Sequence, residues 1–444
     1  MLKRKIYDKL LRWKQDRQGE TALLINGARR VGKSYICKVF AQNEYKSYIL
    51  IDFSKLPTDI KESFLNDVNN FDLLFNKLQL TYETPLFRRE SLIIFDEVQL
   101  FPAARQLIKH LVADGRYDYI ETGSLISIKR NIQDILIPSE EESINMYPLD
   151  FEEFLWAMGN STTSILREFF ETLQPLGAAV HRKMMDAFRQ YLLIGGMPQV
   201  VDAYVRNKDF AECDNFKKNI LSLYRNDITK FAIGYEHKVL SIYDAIPAQL
   251  SKKEKKYVIS SLNKDARLRT YEDAFVWLYE SMIINPCFNS TDPKVGLSLS
   301  SDYSTRKLYF GDTGLLVTHT FRDNDYMSNS LYKSLLFDKL SVNEGMIMEN
   351  IVAQMLRANG HNLYFYSRVD GNNRKNHMEI DFLIRRDNKI CPVEVKSSAY
   401  RAHTSLDKFR TKFKNLGTSY ILYSKDIMVH EGVVHIPLYM AMFL

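Results

Sequence analysis

The sequence has few cysteines and no long apolar run. No two cysteines in its 444 residues form a C-x-x-C pair, and the four present are Cys37, Cys213, Cys287 and Cys391. This scatter argues against a disulfide framework and a zinc site, and it fits a reducing compartment. No window approaches about 18 consecutive apolar residues, so we expect no membrane span. The basic N-terminus has no apolar stretch after it, which argues against a signal peptide and leaves the cytoplasm as the expected location.

Length and composition set broad bounds on the architecture. At about 150 residues per domain, a chain of this length predicts about three domains. The hydrophobic content of 45% is enough for a sizeable core, and the net charge is +6. A mildly basic balance of this kind is compatible with a nucleic-acid partner but does not require one.

The segment 21–34 carries the strongest motif. An apolar run at 22–25 predicts a buried strand, and the residues from Gly27 to Ser34 then complete G-x-x-x-x-G-K-[ST]. Glycines at these positions let backbone N–H groups turn inward around phosphate oxygens. Lys33 is predicted to reach the β- and γ-phosphates of ATP and Ser34 to ligate Mg²⁺, at the N-terminus of a helix over 35–42. The alternative, a chance match, is disfavoured by the flanking strand and helix. The predicted nucleotide contacts of this loop are Gly27, Arg30, Val31, Gly32, Lys33, Ser34 and Tyr35.

A second motif follows the apolar residues at 92–95. Asp96 and Glu97 come directly after this run, which places two carboxylates at the carboxyl tip of a predicted parallel strand. Asp96 is predicted to hold Mg²⁺ through water, and Glu97 to polarise the attacking water as a general base. The alternative is an acid pair that begins a surface helix, and the phosphate loop upstream disfavours it.

Polar residues also follow the next predicted strand, at 117–121. Thr122 or Ser124 is a candidate sensor of the γ-phosphate. In nucleotidases that combine such a phosphate loop with an acid pair, the strand beside the acid strand ends in a polar residue with this role. Ser124 is an equally good candidate for the N-cap of a helix, since an apolar segment follows it.

The remaining elements of the first region follow from apolar spacing. Ile6, Leu10, Leu11 and Trp13 predict a short amphipathic helix, and 47–52 predicts a buried strand. Residues 64–80 carry apolar side chains at helical spacing, and 144–147 predicts a fifth strand.

The region 156–335 is predicted to be largely helical. Gly195 and Gly196 allow a tight loop, and Pro198 restarts a helix at its first turn. Two amphipathic helices followed by a hairpin and a strand at 307–310 predict a winged-helix module over 236–310. Its lysine-rich stretch at 251–256 would contact DNA phosphates, although such a charge run is more often a solvated face. Gly311-Asp312-Thr313-Gly314 is predicted to form a turn.

The last region, 336–444, carries a third group of candidate residues. A helix over 344–356 contains Glu349, and two strands at 378–384 and 390–396 contain Asp381, Glu394 and Lys396. Strand alternation puts Glu394 and Lys396 on one face. Two carboxylates that meet at a hairpin can hold Mg²⁺ while the lysine orients water. The alternative is an ordinary amphipathic hairpin with polar outer residues. A local basic excess favours a polyanionic partner, and its members are Arg368, Arg374, Lys375, Arg385, Arg386, Lys389, Arg401, Lys408 and Arg410.

These motifs, together with Pro148-Leu149-Asp150-Phe151 and Gly195-Gly196-Met197-Pro198, resemble in their order the bacterial and archaeal AAA-like ATP-binding proteins with a C-terminal nuclease-like domain. The resemblance implies an α/β fold: an AAA-like P-loop ATPase with a parallel sheet at 1–155, a helical and winged-helix-like region at 156–335, and a restriction-endonuclease-like domain at 336–444. In the signal-transduction (STAND-like) branch, a Gly-x-Pro lies against the adenine, and Gly196 and Pro198 match it.

The resemblance also supplies expectations for the last domain and for assembly. Asp381, Glu394 and Lys396 match the PD-(D/E)xK nuclease core, and Glu349 matches the acid on its first helix. Related nucleotidases often complete their site with an arginine from a neighbouring subunit, so a homo-oligomer is one expectation. The Gly-Arg pair usual before the Pro-Leu segment is absent, and no arginine finger is assigned.

Two hypotheses follow. The first is a Mg²⁺-dependent ATPase coupled to nucleic-acid binding or processing, DNA rather than RNA, with a nuclease whose catalytic residues are Asp381, Glu394 and Lys396. The second is an ATP-switched regulatory or DNA-binding protein with an inactive nuclease-like domain. The predicted metal ligands are Ser34, Asp96, Glu349, Asp381 and Glu394.

Overall fold

The computed structural model describes residues 2–68, 70–123, 140–252, 254–294, 296–322, 344–368, 378–396 and 403–444. The chain divides into two compact units, a first unit at Lys3–Tyr147 and a second unit at Pro148–Leu444. Among the helices in these ranges, none has the length and apolar character needed to cross a membrane.

The first unit is built on a parallel five-stranded sheet. Its strand order is β2-β3-β4-β1-β5. Every residue of β1, β3 and β4 is buried, which explains the nearly continuous apolar runs of β1 and β3, whereas β4 also buries Asp118, Glu121 and Thr122. The strands are β1 (Ala22–Asn26), β2 (Ser47–Asp52), β3 (Ser91–Asp96), β4 (Asp118–Gly123) and β5 (Glu141–Asn145). The helices are α1 (Ile6–Arg17), α2 (Lys33–Glu44), α3 (Thr58–Asn66), α4 (Phe71–Thr81) and α5 (Pro102–Asp114).

The register of this sheet brings the predicted motifs to one edge. Asn26 at the end of β1 pairs with Gly123 at the end of β4, and Phe95 near the end of β3 pairs with Glu121 of β4. Because all these strands are parallel, the phosphate loop, the acid pair and Thr122 all lie at carboxyl ends, with Thr122 inside β4, which runs past the predicted end at 121. The predicted strand at 47–52 and the amphipathic N-terminal helix are confirmed, with Ile6 buried.

Two predictions in this unit need correction. The helical spacing at 64–80 belongs to two helices, α3 and α4, because the side chain of Asn70 caps α4 by accepting the Leu73 N–H at 3.1 Å. The fifth strand, predicted at 144–147, runs over Glu141–Asn145 instead. Its pairing with β1 begins at Ala22, which fixes the earlier start.

The second unit combines helices with an eight-stranded mixed sheet. The sheet order is β12-β13-β11-β10-β9-β8-β6-β7. Its strands are β6 (Ile284–Ser290), β7 (Ser301–Phe310), β8 (Leu363–Arg368), β9 (Met378–Arg386), β10 (Lys389–Val395), β11 (Ser419–Tyr423), β12 (Met428–His430) and β13 (Val433–Pro437). Its helices are α6 (Phe151–Ala157), α7 (Thr163–Thr172), α8 (Ala178–Ile194), α9 (Pro198–Asn207), α10 (Phe210–Phe231), α11 (Glu236–Leu250), α12 (Glu272–Glu280), α13 (Thr313–Thr320), α14 (Glu344–Ala358) and α15 (Thr404–Lys412).

The hairpin of the predicted winged-helix module is part of this sheet. β6 pairs antiparallel with β7 on one side and parallel with β8 on the other. Strands from both sides of the predicted boundary at 335 therefore share one sheet, and the hairpin is not a free-standing wing. The division into 1–155, 156–335 and 336–444 stays a prediction about sequence modules.

The Gly195–Pro198 junction is hydrogen-bonded to Asp312, the N-cap residue of α13, where a turn was predicted. α8 ends at Ile194 and α9 begins at Pro198, as predicted. The buried Asp312 carboxylate accepts the N–H of Gly196 at 2.6 Å and that of Leu315 at 2.9 Å. A Cβ atom on Gly196 would lie 2.0 Å from the Leu149 carbonyl oxygen, so only glycine fits there.

Candidate functional site

The phosphate loop of the first unit has a tight, glycine-dependent path. A Cβ atom on Gly27 would lie 2.5 Å from the carbonyl oxygen of Met146, so this position requires glycine. Gly32 has a φ of 95° and Arg30 a φ of 71°, which turn the loop back before α2 begins at Lys33. The helix N-terminus therefore opens onto the loop, as an anion site needs.

Lys33 is folded back onto its own loop. Its buried ammonium donates to the carbonyl oxygens of Gly27 at 2.8 Å and Ala28 at 3.2 Å. Burial lowers the pKa of Lys33, while Glu97 and Asp96 oppose that shift. The charge thus has carbonyl partners that a phosphate can replace.

Asp96 accepts hydrogen bonds from two hydroxyl groups. The Ser34 hydroxyl donates to Asp96 Oδ1 at 2.7 Å, and the buried Thr122 hydroxyl donates to the same oxygen. Carboxylate and hydroxyl oxygens are hard ligands, and Mg²⁺ is commonly held by one or two carboxylates together with waters and phosphates. The donors present therefore fit Mg²⁺, with Ser34 and Asp96 as the residues that would hold it.

Glu97 lies at the tip of the acid strand in an unusual backbone conformation. Its φ is 57°, and its N–H donates to Thr122 Oγ1 at 3.4 Å. The side-chain amide of Gln99 donates to Glu97 Oε2. Gln99 thus holds the carboxylate of the predicted general base.

In the second unit, charged side chains line a cavity of about 230 Å³. This volume is below the roughly 300 Å³ at which small-molecule pockets begin. The lining residues are Lys255, Lys307, Glu349, Glu379, Asp381, Glu394, Lys396 and Ser405. We refer to the three lysines and four carboxylates as the lysine–carboxylate cluster.

Lys307 of β7 lies in the middle of three acids. Its Nζ is 2.8 Å from Glu379, 3.7 Å from Asp381 and 3.9 Å from Glu349. Burial alone would lower the pKa of Lys307, but these carboxylates outweigh burial and hold the pKa above its ordinary value. The ammonium is therefore charged in the folded chain.

Each predicted nuclease carboxylate already has a partner. Glu349 forms an ion pair with Lys255 and accepts the Tyr309 hydroxyl at 3.1 Å. Asp381 Oδ2 accepts the Val395 N–H at 2.9 Å, and Glu394 lies 2.7 Å from the ammonium of Lys396.

Burial perturbs the titration of the hairpin acids. It raises the pKa of Asp381 to about 7, with Glu349 as the next contributor. Burial also raises the pKa of Glu394. For Lys396, burial works downward, but Glu394 outweighs it and raises the pKa.

This arrangement does not fit the predicted magnesium site of Glu349, Asp381 and Glu394. Within the described residues, no group of three His, Cys, Asp or Glu side chains is placed to hold a metal ion. A lysine ammonium sits against Asp381 instead, and the other two acids are paired with lysines. The cluster therefore supports no metal-dependent step.

Family models match three parts of the chain. Residues 19–155 match an AAA domain family, AAA_14. Residues 19–155 form an AAA-type P-loop ATPase domain. Residues 185–326 and 344–440 match two domains of unknown function, DUF8612 and DUF4143. No curated protein matches the chain.

Distant solved structures also resemble the chain. A Walker-type ATPase of Pyrococcus abyssi is 15% identical with a TM-score of 0.43, over 72% of this chain and 96% of its own. The Orc1 protein of Aeropyrum pernix, solved in complex with DNA, is 10% identical with a TM-score of 0.29, over 72% and 92%. The family model and the parallel sheet, rather than these structures, define the AAA domain.

The other predicted nucleotide contacts are distributed as follows. In the AAA domain, Val31 is fully buried, so only its backbone can meet a nucleotide, whereas Arg30 and Tyr35 are exposed. Ser124 lies outside the described residues. Pro198 belongs to the second unit, and its assignment to adenine stays a prediction.

Sequence reasoning missed several members of the lysine–carboxylate cluster. Lys307 and Tyr309 are two residues apart on β7, so their side chains lie on the same face of the sheet, and both contact Glu349 of α14. A lysine inside an otherwise apolar strand end was the available signal. Lys255, predicted to contact DNA phosphate, is instead largely buried against Glu349.

Proposed function

We propose that the chain is a Mg²⁺-dependent ATPase whose nucleotide state controls a nucleic-acid-binding second unit. The observation that carries the ATPase part is the convergence of Lys33, Ser34, Asp96, Glu97 and Thr122 at the carboxyl edge of one parallel sheet. This arrangement provides a cation for phosphate, two oxygen ligands for a metal ion and a carboxylate for water activation.

Binding of ATP would displace internal contacts of the loop. Lys33 exchanges the carbonyls of Gly27 and Ala28 for phosphate oxygens, which are stronger acceptors because they are charged. Mg²⁺, when bound, neutralises charge on the phosphates. Ser34 and Asp96 would hold it, and Thr122 keeps Asp96 oriented through its hydroxyl.

Hydrolysis requires Glu97 to act on water. In the structure Gln99 donates to Glu97, so this hydrogen bond must yield before Glu97 accepts a proton. We assign Glu97 as general base and Gln99 as the residue that holds it.

The nucleotide assignment is tested by measuring ATP affinity with a fluorescent analogue. Lys33→Ala removes a charge-assisted hydrogen bond worth about 1.5–3 kcal/mol, so affinity is expected to fall at least about tenfold. Lys46→Ala is the matched control, because Lys46 lies on the same unit as an exposed partner of Glu90. Unchanged affinity in Lys33→Ala refutes the assignment.

For the second unit we propose nucleic-acid binding without cutting. The pairing of Glu349, Asp381 and Glu394 with lysines and a backbone N–H favours this candidate over a metal-dependent nuclease. The exposed basic residues Arg385 and Lys389 at the β9–β10 turn supply positive charge to a polyanion. In the same region, Arg374, Lys375 and Arg401 lie outside the described residues.

Salt-dependent DNA binding tests this part. We expect a double variant, Arg385→Ala with Lys389→Ala, to reduce the slope of log K against log salt by about 0.7–0.9 for each phosphate that the protein no longer neutralises. Lys294→Ala, an exposed lysine of the same unit, is the control. Binding should change between the ATP-bound and nucleotide-free states. Equal slopes in all three proteins contradict nucleic-acid binding at this turn, and DNA cutting that disappears in Asp381→Ala contradicts the non-cutting assignment.

A further inference from the structure

A buried ammonium occupies the centre of the second unit's acid cluster. Lys307 is 1% exposed and contacts carboxylates from two elements, Glu349 on α14 and both Glu379 and Asp381 on β9. A buried charge is tolerated only when it is paired, so the position of Lys307 and the three acids depend on one another. Removing the three acids leaves the Lys307 charge uncompensated, and removing Lys307 takes the nearest cation from Glu379 and Asp381, whereas Glu349 keeps Lys255.

The charges of the cluster are nearly balanced by lysines alone. Four carboxylates face three ammonium groups, since Lys255 pairs with Glu349 and Lys396 with Glu394. A dication added to the intact cluster would turn a net charge of about −1 into about +1, an imbalance of the same size in a largely buried place. Without Lys307 the net charge would be about −2, which a dication would neutralise, and burial of unbalanced charge is costly.

Each oxygen of Asp381 already faces a positive or donor group. One faces Lys307 at 3.7 Å and the other accepts the Val395 N–H at 2.9 Å. A Mg²⁺ ion bound to Asp381 would lie about 2.0–2.1 Å from the ligating oxygen, and therefore close to the Lys307 ammonium. Like charges at that distance repel strongly where water is excluded.

We propose that Lys307 is the resident cation of this cluster and takes the place that a divalent metal ion would occupy. The wild-type cluster consequently binds no Mg²⁺ or Mn²⁺. A neutral side chain of similar length at position 307 converts the cluster into a divalent cation site built on Asp381 and Glu349. This inference rests on the proposed function only for the choice of cavity, and it stands whether or not the chain binds nucleic acid.

The test is direct titration of the purified full-length chain with Mn²⁺, without ATP, followed by electron paramagnetic resonance of free Mn²⁺. Lys307→Met is expected to gain one Mn²⁺ site, with affinity at least tenfold above any weak binding in the wild type. The added site should disappear when Asp381→Asn is combined with Lys307→Met. Lys294→Met, an exposed lysine, should behave as the wild type.

A second comparison keeps the proposal testable if Lys307→Met does not fold. Asp381→Asn alone should leave Mn²⁺ binding unchanged, because the wild-type cluster holds no metal. A loss of one Mn²⁺ site in Asp381→Asn overturns the proposal, as does a folded Lys307→Met protein without a new site. Failure of DNA binding in the same proteins affects only the proposed function, since Mn²⁺ binding is measured in its absence.

Discussion

Asp312 is the residue whose loss should weaken the second unit most clearly. Its carboxylate is 1% exposed and accepts two backbone N–H groups, from Gly196 at 2.6 Å and Leu315 at 2.9 Å. It thereby caps α13 and closes the Gly195–Pro198 junction. Asp312→Ala leaves both buried donors without an acceptor, at about 1–3 kcal/mol each.

Part of that cost is offset. Burial raises the pKa of Asp312, against the effect of its N–H donors, so the wild type already carries a desolvation penalty that the alanine variant lacks. We therefore expect a net loss of about 3 kcal/mol. Asp312→Asn should lose roughly half as much, because its single carbonyl oxygen still accepts one N–H while its amide group faces the other donor.

Urea unfolding followed by tryptophan fluorescence measures this loss in the second unit alone. Of the three tryptophans, Trp156 and Trp277 lie in the second unit, and a Trp13→Phe background removes the signal of the first unit. With an m-value of about 3 kcal/mol per M, Asp312→Ala should lower the midpoint by about 1 M. Asp292→Ala, at a half-exposed surface pair with Lys294, is the control and should change the midpoint little. Equal midpoints for the two variants refute the reasoning.

Two further stability predictions use the same assay. Gly196→Ala should lower the free energy of unfolding by about 3 kcal/mol, because its Cβ would meet backbone atoms of Leu149 at 2.0–2.9 Å. Gly234→Ala should lower it by only about 1 kcal/mol, for its positive φ, since nothing lies within 4 Å of its Cβ. Equal losses contradict the contact argument. Burial lowers the pKa of Lys217 in the folded chain to about 8, so above pH 8 the unfolded chain binds more protons at this lysine than the folded chain does. The free energy of unfolding of the wild type should therefore rise by about 1–2 kcal/mol between pH 8 and 9.5, relative to that of Lys217→Met. A parallel pH dependence of the two proteins contradicts the assigned pKa.

The first unit could be predicted from sequence in some detail because its motifs are local. The glycine spacing of the phosphate loop and the acids after an apolar strand each encode their own geometry, and parallel pairing brings the strand ends together. The strand at Ser47–Asp52 was predicted to the residue. The break between α3 and α4 was not, since Asn70 interrupts a continuous apolar spacing by a side-chain cap that the spacing does not reveal.

The second unit was harder because its polar groups meet over long sequence distances. Lys307 and Glu379 are 72 residues apart and Lys255 and Glu349 are 94 apart, so no local spacing encodes these ion pairs. Asp381, Glu394 and Lys396 were found because a tight turn joins their strands, with Asp387 and Asn388 both at positive φ. Their proximity at the hairpin was predicted, but the cavity that they share with Lys307 was not.

The segment at 311–314 illustrates the same limit. Its residues predicted a turn, but the structure has only a bend at Gly311, since Asp312 is the N-cap of α13, which begins at Thr313. The role of Asp312 also depends on Gly196, which is 116 residues away. A buried carboxylate that accepts distant backbone N–H groups leaves no periodic pattern in the sequence.

Single-turnover hydrolysis of ATP by enzyme in excess, with Mg²⁺, tests the ATPase claim most directly, because it separates the chemical step from binding and product release. Glu97→Gln keeps the size of the side chain and its hydrogen bond with Gln99 but cannot accept a proton. We expect its rate to fall at least about 100-fold, with ATP affinity nearly unchanged, while Glu90→Gln on the exposed surface keeps the wild-type rate. A Glu97→Gln rate within a few-fold of wild type would contradict the assignment of Glu97 as the general base.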